Sequence, residues 1–572
     1  MHNLVRNLVD FLPQQFRVLY RQFLLRIIDL EALSIQADIP RFLGQISGVL
    51  IMFSMIHTLI AWAYLGDTED SPPKLLSFAW HLEHHLIAMM MLVVGLIAVA
   101  SWDSIFPDRR DTMILGPLPV KPSVVLAAKA AAAAAVVGLA IVTLNVAAGF
   151  AWPSVLAMRG RGPSEFLPTL ASYWLTMIAA SVFVYGSVLT VQGLTALLLP
   201  RRLFLLCSAF LQLAAFAVFF GVFFLQPTLT TPAEFANPSY GAFLSWAPSY
   251  WFFALFNRLR GALPENLNWL ATRAWIGLAA AVAGSVFSLL LCYLRTMRKT
   301  IEQPDLLPAA RGPRMNLRLG SSIEAAILAF SFRSVTRSRQ HRVVFAFYMA
   351  IVLAVALSSA RSFLAAAAQP LAPGFLVASF VMMSFAVLGL RSVFSLPISL
   401  TANWMLRISQ LFPSWRYIAA TRHALLCLTV LPVWITAALL SLHFRPWPQV
   451  AGHLIVLALL GSILADLSLI GFYKVPFTCS YLPGKVNIQF VFWGSLILFL
   501  TLGLTGARYE LAALHNPVRF AWMVIALGSM AACLRAFNRY RARDAEIYFE
   551  EVPAEVITSL RLISLPSSEE AF

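Results

Sequence analysis

Residues 101–129 read SWDSIFPDRRDTMILGPLPVKPSVVLAAK, and this polar stretch separates two long apolar runs. It contains, in order, an acid, two arginines, a second acid, two prolines and a lysine: Asp108, Arg109, Arg110, Asp111, Pro117, Pro119 and Lys121. Charged side chains that face lipid cost several kcal/mol each, so the stretch must lie in water or against protein. The prolines end the preceding helix, and a new one is expected after Lys121. The pattern predicts two membrane-spanning helices joined by a polar loop.

The composition of the whole chain agrees with this interpretation. Of its 572 residues, 60% are hydrophobic and only 12% are charged, whereas soluble proteins carry about 25% charged residues. The net charge of +16 would suggest nucleic acid binding in a soluble protein. Here the arginines border apolar runs, where they set orientation and meet anionic lipids. We therefore expect an all-α multi-pass membrane protein that contacts anionic lipids and no nucleic acid.

Apolar runs long enough to cross the membrane recur along the chain, and they predict about twelve spans in two groups of six. The first group is placed at 43–66, 83–102, 124–150, 169–198, 203–226 and 272–295. The second group is placed at 343–361, 373–396, 423–443, 450–472, 488–506 and 517–535. Arginines flanking the spans predict that both termini are cytoplasmic, in a cell membrane of the bacterial inner-membrane kind.

The predicted organisation has five segments. Residues 1–42 contain an interfacial helix, because Phe16, Leu19, Tyr20 and Phe23 recur at helical spacing with arginines elsewhere on the wheel. The other segments are a first six-span half, a cytoplasmic linker with a second interfacial helix, a second six-span half and a cytoplasmic tail, at 43–296, 297–342, 343–535 and 536–572.

The two halves carry matched residues at one constant spacing along the chain. Gly95-Leu96 matches Gly389-Leu390, Pro119 matches Pro413, and Lys129 falls opposite His423. In each half these residues end the second span, cross a polar loop and begin the third. The pattern favours a duplication, and thus two parallel six-helix repeats.

A polar loop between the second and third spans, after an interfacial helix and within a six-span unit, resembles that of type-2 ATP-binding-cassette (ABC) exporter permeases. In that family the loop carries a short coupling helix that docks on an ATPase subunit. The resemblance implies docking by the seven polar-loop residues named above. In the second half, in LPISLTANWMLRISQLFPSWRYIAATRH (396–423), it implies docking by Asn403, Arg407, Pro413 and Arg416. This second loop departs from the first in lacking the paired acids.

The outer segment 227–271 adds to the resemblance, because family members carry short re-entrant helices between the fifth and sixth spans. Trp246, Tyr250, Trp251 and Phe252 suit such an interfacial element. A plain extracellular loop with an aromatic belt is the open alternative. The chain contains no G-x-x-x-x-G-K-[ST] phosphate loop. The resemblance therefore implies that ATP and Mg²⁺ bind a separate P-loop ATPase, in two copies, and that this chain is a permease rather than an enzyme and carries no cofactor.

Three groups of polar residues in or near the spans invite a chemical role. In HLEHH, His81 and His85 share one helical face and could hold zinc if a third ligand arrived from elsewhere in the chain; Glu83 is the acidic residue between them. Their expected head-group depth favours simple interface anchors and no metal. Arg391 and Asp466 lie within spans, and we expect a structural pair rather than a substrate route. His453 is expected to be a packing residue.

Two other functions stay open at this stage. A secondary transporter of the major-facilitator kind also has six plus six spans, but its loop pattern is G-x-x-x-D-R-x-G-R-R, and residues 108–111 lack the glycines. A membrane enzyme or metal-dependent sensor would rest on HLEHH alone. The exporter is preferred, and nothing in the sequence indicates its substrate.

Overall fold

The computed structural model describes most of the chain. The described residues are 14–28, 39–66, 72–102, 105–106, 115, 117–159, 162–199, 201–227, 229–302, 322–364, 371–398, 400–404, 414–442, 444–479, 488–543, 546–548 and 550. Within these ranges the chain forms α-helices, short 3₁₀ turns, a π-helical turn and no β-sheet, with an isolated bridge between Lys474 and Tyr548.

The first part of the chain forms eleven described helices, two of which follow short 3₁₀ turns. They are α1 (Gln14–Ile28), α2 (Ile39–Gly66), α3 (Pro72–Ala100), α4 (Pro122–Asn145), α5 (Ala148–Arg159), α6 (Phe166–Leu198), α7 (Arg201–Leu225), α8 (Pro232–Ala236), α9 (Pro238–Trp246), α10 (Pro248–Leu259) and α11 (Asn268–Glu302).

The second part begins after the undescribed residues 303–321. Its described helices are α12 (Ser322–Arg337), α13 (Arg339–Leu364), α14 (Pro373–Phe394), α15 (Ser414–Leu425), α16 (Leu431–Ser441), α17 (Trp447–Ser468), α18 (Ile488–Leu514) and α19 (Pro517–Arg543). A π-helical turn, Leu426–Val430, joins α15 to α16 into one continuous rod.

Ten of the described helical segments are long and apolar enough to cross a membrane. They are Leu43–Ala63, Leu76–Ala100, Pro122–Asn145, Pro163–Leu198, Glu265–Cys292, Gln340–Ala360, Pro373–Phe394, Ser414–Ser441, Trp447–Ser468 and Pro517–Arg543. The prediction of an all-α, multi-pass membrane protein is thus confirmed. The other two predicted spans, 203–226 and 488–506, fall on helices α7 and α18. The number twelve and the division into two repeats stay predictions.

Several predicted boundaries differ from the structure. Helix α3 begins at Pro72, three turns before the predicted span at 83. The predicted span 124–150 divides after Asn145. The division is stabilised by Ser54 of α2, whose hydroxyl accepts the backbone N–H groups of Ala147 and Ala148 at 3.0 Å each. These N–H groups would otherwise lack partners at the start of α5.

The helices pack around two main apolar cores and a junction between them. One core joins α3, α4, α5, α6, α10 and α11, and the other joins α12 to α17. The junction brings Ala98, Val99 and Trp102 together with Phe216 of α7 and Ala346 of α13. Helix α7 packs along α13, and α18 contacts α2. The two parts of the chain are therefore held together by direct helix packing.

The loops that follow α3 and α14 lie at the same end of the bundle, which we call the loop end. Trp102, at the start of the first loop, clusters with residues at the start of α13. There, His341 Nε2 lies 3.0 Å from the carbonyl oxygen of Leu396, just after α14. The two loops predicted to dock a partner therefore face the same side.

Candidate coupling region and buried polar clusters

Helix α1, the predicted interfacial helix, lies on the start of α4. Its apolar face packs against Val125, Ala128 and Ala132, with Phe23 buried at the centre of the contact. Leu115 and Val120 of the polar loop join the same cluster. The apolar face of α1 is therefore covered by protein, and it contacts the loop as well as α4.

Lys129 of α4 is buried beneath this contact, only 2% exposed. Its Nζ donates a hydrogen bond of 3.1 Å to the carbonyl oxygen of Phe106, and it lies 5.1 Å from the centre of the Phe23 ring. An ammonium inside an apolar contact is costly unless such partners hold it. One lysine thus links α1, α4 and the start of the loop. The sequence indicated this residue by its match with His423 and by its charge in an alanine-rich run, but not by its contacts.

The start of the loop is also fastened to α6 and α7. Trp102 Nε1 donates to Ser208 Oγ at 3.1 Å, and Gln212 Nε2 donates to the carbonyl oxygen of Val99 at 2.9 Å. Gln192 of α6 donates to the carbonyl oxygen of Trp102. Because α7 packs on α13, these hydrogen bonds connect the start of the loop with the other part of the chain.

The exposed part of the first loop is its second segment. Pro117, Pro119 and Lys121 are exposed, as is Leu118 between the prolines. Lys121 precedes α4 as its N-cap residue, and Pro122 begins the helix as predicted. Residues 108–111, with the predicted docking charges Asp108, Arg109, Arg110 and Asp111, lie outside the described residues.

The second loop is held differently. Asn403 is buried, and its amide donates to the carbonyl oxygens of Thr478, at 2.7 Å, and Glu550. Asn403 therefore links parts of the chain inside the protein. It does not belong to the exposed docking surface that the sequence suggested. Arg416 is exposed and lies over the Trp415 ring. Arg407 and Pro413 lie outside the described residues.

Helix α12, in the predicted linker, packs on the start of α15 as α1 packs on α4. His423 Nδ1 lies 2.9 Å from Glu324 Oε1 of α12. The matched residues Lys129 and His423 therefore both contact the helix that precedes their bundle. Gly95 and Gly389, another matched pair, both lie at tight helix contacts, facing Phe219 and Tyr348.

The short helices predicted in segment 227–271 are α8, α9 and α10, and they cover part of HLEHH. Tyr250 and Phe252 are fully buried, while Trp246 is exposed. Asn257 Nδ2 donates to Glu83 Oε2 at 2.9 Å, and Arg260 Nη1 donates to Glu83 Oε1 at 3.2 Å. A cavity of about 10 Å³, room for one water molecule, adjoins Glu83. Glu83 is therefore buried inside the protein, where α10 packs against α3.

The three histidines of HLEHH lie in two environments. His84 is stacked on Tyr250 with ring centres 3.9 Å apart, and its Nε2 lies 3.1 Å from Ser249 Oγ. His81 and His85 stack in line with His57 of α2. Glu83 therefore does not join His81 and His85. Within the described ranges, no group of three or more His, Cys, Asp or Glu residues could hold a metal ion.

Asp466 and Arg391, predicted to pair, have different partners. Asp466 accepts two hydrogen bonds from Arg422, at 2.7 Å from Nε and 3.0 Å from Nη2. Arg391 Nε donates to the carbonyl oxygen of Ser468 at 2.7 Å, and its guanidinium lies over Phe472. Both residues have structural partners, but the pairing predicted from the sequence is wrong. The residue that was missed is Arg422, next to the matched His423.

A third buried cluster links α14, α17 and α18. His453 Nδ1 lies 2.7 Å from Glu510 Oε1, and its Nε2 lies 3.0 Å from Ser379 Oγ. This order matches a hydrolytic triad. All three side chains are buried, however, and Ser379 Oγ also lies 2.9 Å from the carbonyl oxygen of Leu376, to which it donates. The cluster is therefore a structural link, and His453 is the packing residue predicted.

Comparison with protein-family models finds no match for the chain, and neither the curated proteins nor the solved structures include a match. The geometry of the coupling region is therefore what bears on function.

Proposed function

We propose that this protein is the permease of an ABC-type exporter, moving a substrate out of the cytoplasm with energy from a separate P-loop ATPase. Two ATPase copies dock at the loop end, and both termini lie in the cytoplasm. The observation that carries the proposal is the set of contacts that hold the start of the first loop to the neighbouring helices. Lys129 ties it to α1 and α4, and Trp102 ties it to α7. A docking loop must be stiff at its base to transmit force.

The packing of the helices supports two parallel six-span halves. Helix α7, the fifth span of the first half, lies on α13, the first span of the second half. Reciprocally, α18, the fifth span of the second half, contacts α2, the first span of the first half. Such reciprocal contacts between a fifth and a first span are expected of two repeats related by an axis along the membrane normal.

Contacts within each half follow the same order. The second span contacts the fourth and fifth in both, through α3 with α6 and α7, and through α14 with α17 and α18. The amphipathic helices α1 and α12 also occupy matching places. Together with the constant spacing of the matched residues, this supports a duplicated unit.

In the proposed mechanism, the loops transmit the motion of the ATPase subunits to the helices. ATP binding draws the two ATPase subunits together and moves the loops after α3 and α14. The first loop carries its motion through Trp102 to α7 and onward to α13, so the halves rock against each other and access alternates. The second loop is fixed to segment 472–479 by Asn403, so we expect the first loop to transmit most of the displacement.

A secondary transporter is the second candidate, and the buried carboxylate Glu83 favours it. Glu83 is only 3% exposed and lies beside a water-sized cavity, and proton-coupled transporters use buried carboxylates in their spans. Its contacts with Asn257 and Arg260 give it an alternative, structural role.

The two candidates differ in whether the protein changes ATP hydrolysis by a partner. The chain is purified in lipid nanodiscs, and the P-loop ATPase that co-purifies with it is added at known ratios. The exporter proposal expects no hydrolysis by the chain alone and a hydrolysis rate by the ATPase that changes severalfold when the chain is present. An unchanged ATPase rate, together with proton uptake by chain-containing vesicles that Glu83→Gln abolishes, would favour the secondary transporter instead.

A further inference from the structure

A cavity of about 620 Å³ opens near the loop end between α15, α17 and α19. This volume is within the range of sites that hold small ligands, roughly 300–1,000 Å³. It is lined by Arg422, Ser462, Ala531, Ala532, Arg535, Ala536, Arg539, Tyr540 and Arg543. Its lining includes none of the predicted docking residues and none of the residues around Glu83.

The cavity has an excess of positive charge. Arg422 is paired with Asp466. For Arg535, Arg539 and Arg543, no carboxylate of the described residues lies within ion-pair distance. These three follow one another at every fourth position of α19, so they share one face over about 12 Å of helix. Like charges at this spacing repel one another, and an anion between them would remove that cost.

The shape of the cavity suits a phosphate group. Ala531, Ala532 and Ala536 are small and leave space between α19 and its neighbours. The guanidinium of Arg422 is held in place by Asp466 and by Ser462 Oγ at 2.8 Å. Fixed guanidinium groups bind phosphate oxygens through paired, charge-assisted hydrogen bonds. Tyr540 adds a hydroxyl group at the rim.

The position of the cavity indicates where the phosphate comes from. The arginines occupy the last turns of a membrane-spanning helix, which is head-group depth. Below them α19 exposes apolar side chains to its surroundings, including Ile525 and Trp522. Attraction of cations to a helix C-terminus explains basic residues there, but it does not explain a cavity into which Arg422 of another helix also faces.

We propose that this cavity binds the phosphate group of an anionic phospholipid, with Arg422, Arg535, Arg539 and Arg543 holding the phosphate and the acyl chains lying along α19. The site does not depend on the exporter proposal. A bound lipid would join α15 and α17 to α19, whose apolar stretch is otherwise little buried.

The test is native mass spectrometry of the purified full chain titrated with phosphatidylglycerol, phosphatidylcholine or inorganic phosphate. The test variant is the triple substitution Arg535→Gln, Arg539→Gln, Arg543→Gln. The control is Arg333→Gln, Arg337→Gln, Arg541→Gln, which removes equal charge from α12 and from another face of α19. Unfolding temperatures of both variants show whether the fold is kept.

The wild type and the control should bind one phosphatidylglycerol at least tenfold more tightly than phosphatidylcholine, about 1.4 kcal/mol, and the triple variant should lose this preference. Retention of the preference by the triple variant, or equal binding of both lipids by the wild type, would overturn the site. Displacement of phosphatidylglycerol by inorganic phosphate at similar concentration would overturn the lipid as the occupant and assign the cavity to a soluble phosphate.

Discussion

The ammonium of Lys129 and the carbonyl oxygen of Phe106 form a hydrogen bond of 3.1 Å inside the protein, beneath the Phe23 ring of the N-terminal helix. This bond joins the third span to the loop that follows the second. In the proposed function, this is where motion of the ATPase would reach the helices. Its loss should therefore affect coupling more than folding.

We predict that Lys129→Met weakens the communication between ATPase and permease. Methionine keeps the length and apolar bulk of lysine but leaves the Phe106 carbonyl without its donor, a cost of about 1–3 kcal/mol. Stimulation of the partner ATPase in nanodiscs should fall severalfold at unchanged membrane level. Lys121→Met, at an exposed loop position, is the control. The same loss of stimulation in both variants would remove the special role of Lys129.

We predict that Asp466→Asn is strongly destabilising. It removes the charge partner of Arg422, whose side chain is only 13% exposed, and breaking a buried pair on one side costs about 3–5 kcal/mol. The double variant Asp466→Leu, Arg422→Met should recover most of this loss, because no charge is left unpaired. Thermal unfolding in detergent measures both. If the double variant were as unstable as the single one, the pair would not be the source of the effect.

We predict that Gly284→Ala lowers the unfolding temperature while Gly138→Ala does not. A Cβ at Gly284 would lie 2.7 Å from Thr190 Cγ2 of α6, whereas a Cβ at Gly138 meets nothing within 4 Å. Overpacking costs about 1–3 kcal/mol, and alanine in an open helical position is favourable by up to about 1 kcal/mol. Equal unfolding temperatures for both variants would mean that α6 and α11 are not closely packed.

The sequence predicted the spans well because an uncharged apolar run of membrane length is rare in proteins except where a helix crosses the bilayer. It predicted the start of α3 poorly, because residues 72–82 mix Lys74, Ser77 and His81 with apolar residues. The buried side chains of this stretch include Trp80, which packs against Phe253 of α10. Hydropathy contains no information about such long-range packing.

The pairing of charges could not be predicted from the sequence, for a similar reason. The sequence prediction paired Asp466 with Arg391. It missed Arg422, because only the packing of α15 on α17 brings Arg422 to Asp466. Asn403 looked like a docking residue because its loop is polar. Its burial depends on segment 472–479 and Glu550, which are distant in the chain.

The most direct test of the coupling proposal is the affinity of the partner ATPase for the chain with Arg109→Glu and Arg110→Glu. These substitutions replace attraction with repulsion at the proposed docking loop, and each lost charge-assisted hydrogen bond is worth roughly 1.5–3 kcal/mol. The matched control is Arg445→Glu with Arg519→Glu, two exposed arginines outside both loops. We predict at least tenfold weaker ATPase binding for the loop variant, about 1.4 kcal/mol, and unchanged binding for the control. Equal binding by the wild type and both variants would contradict the coupling role of this loop.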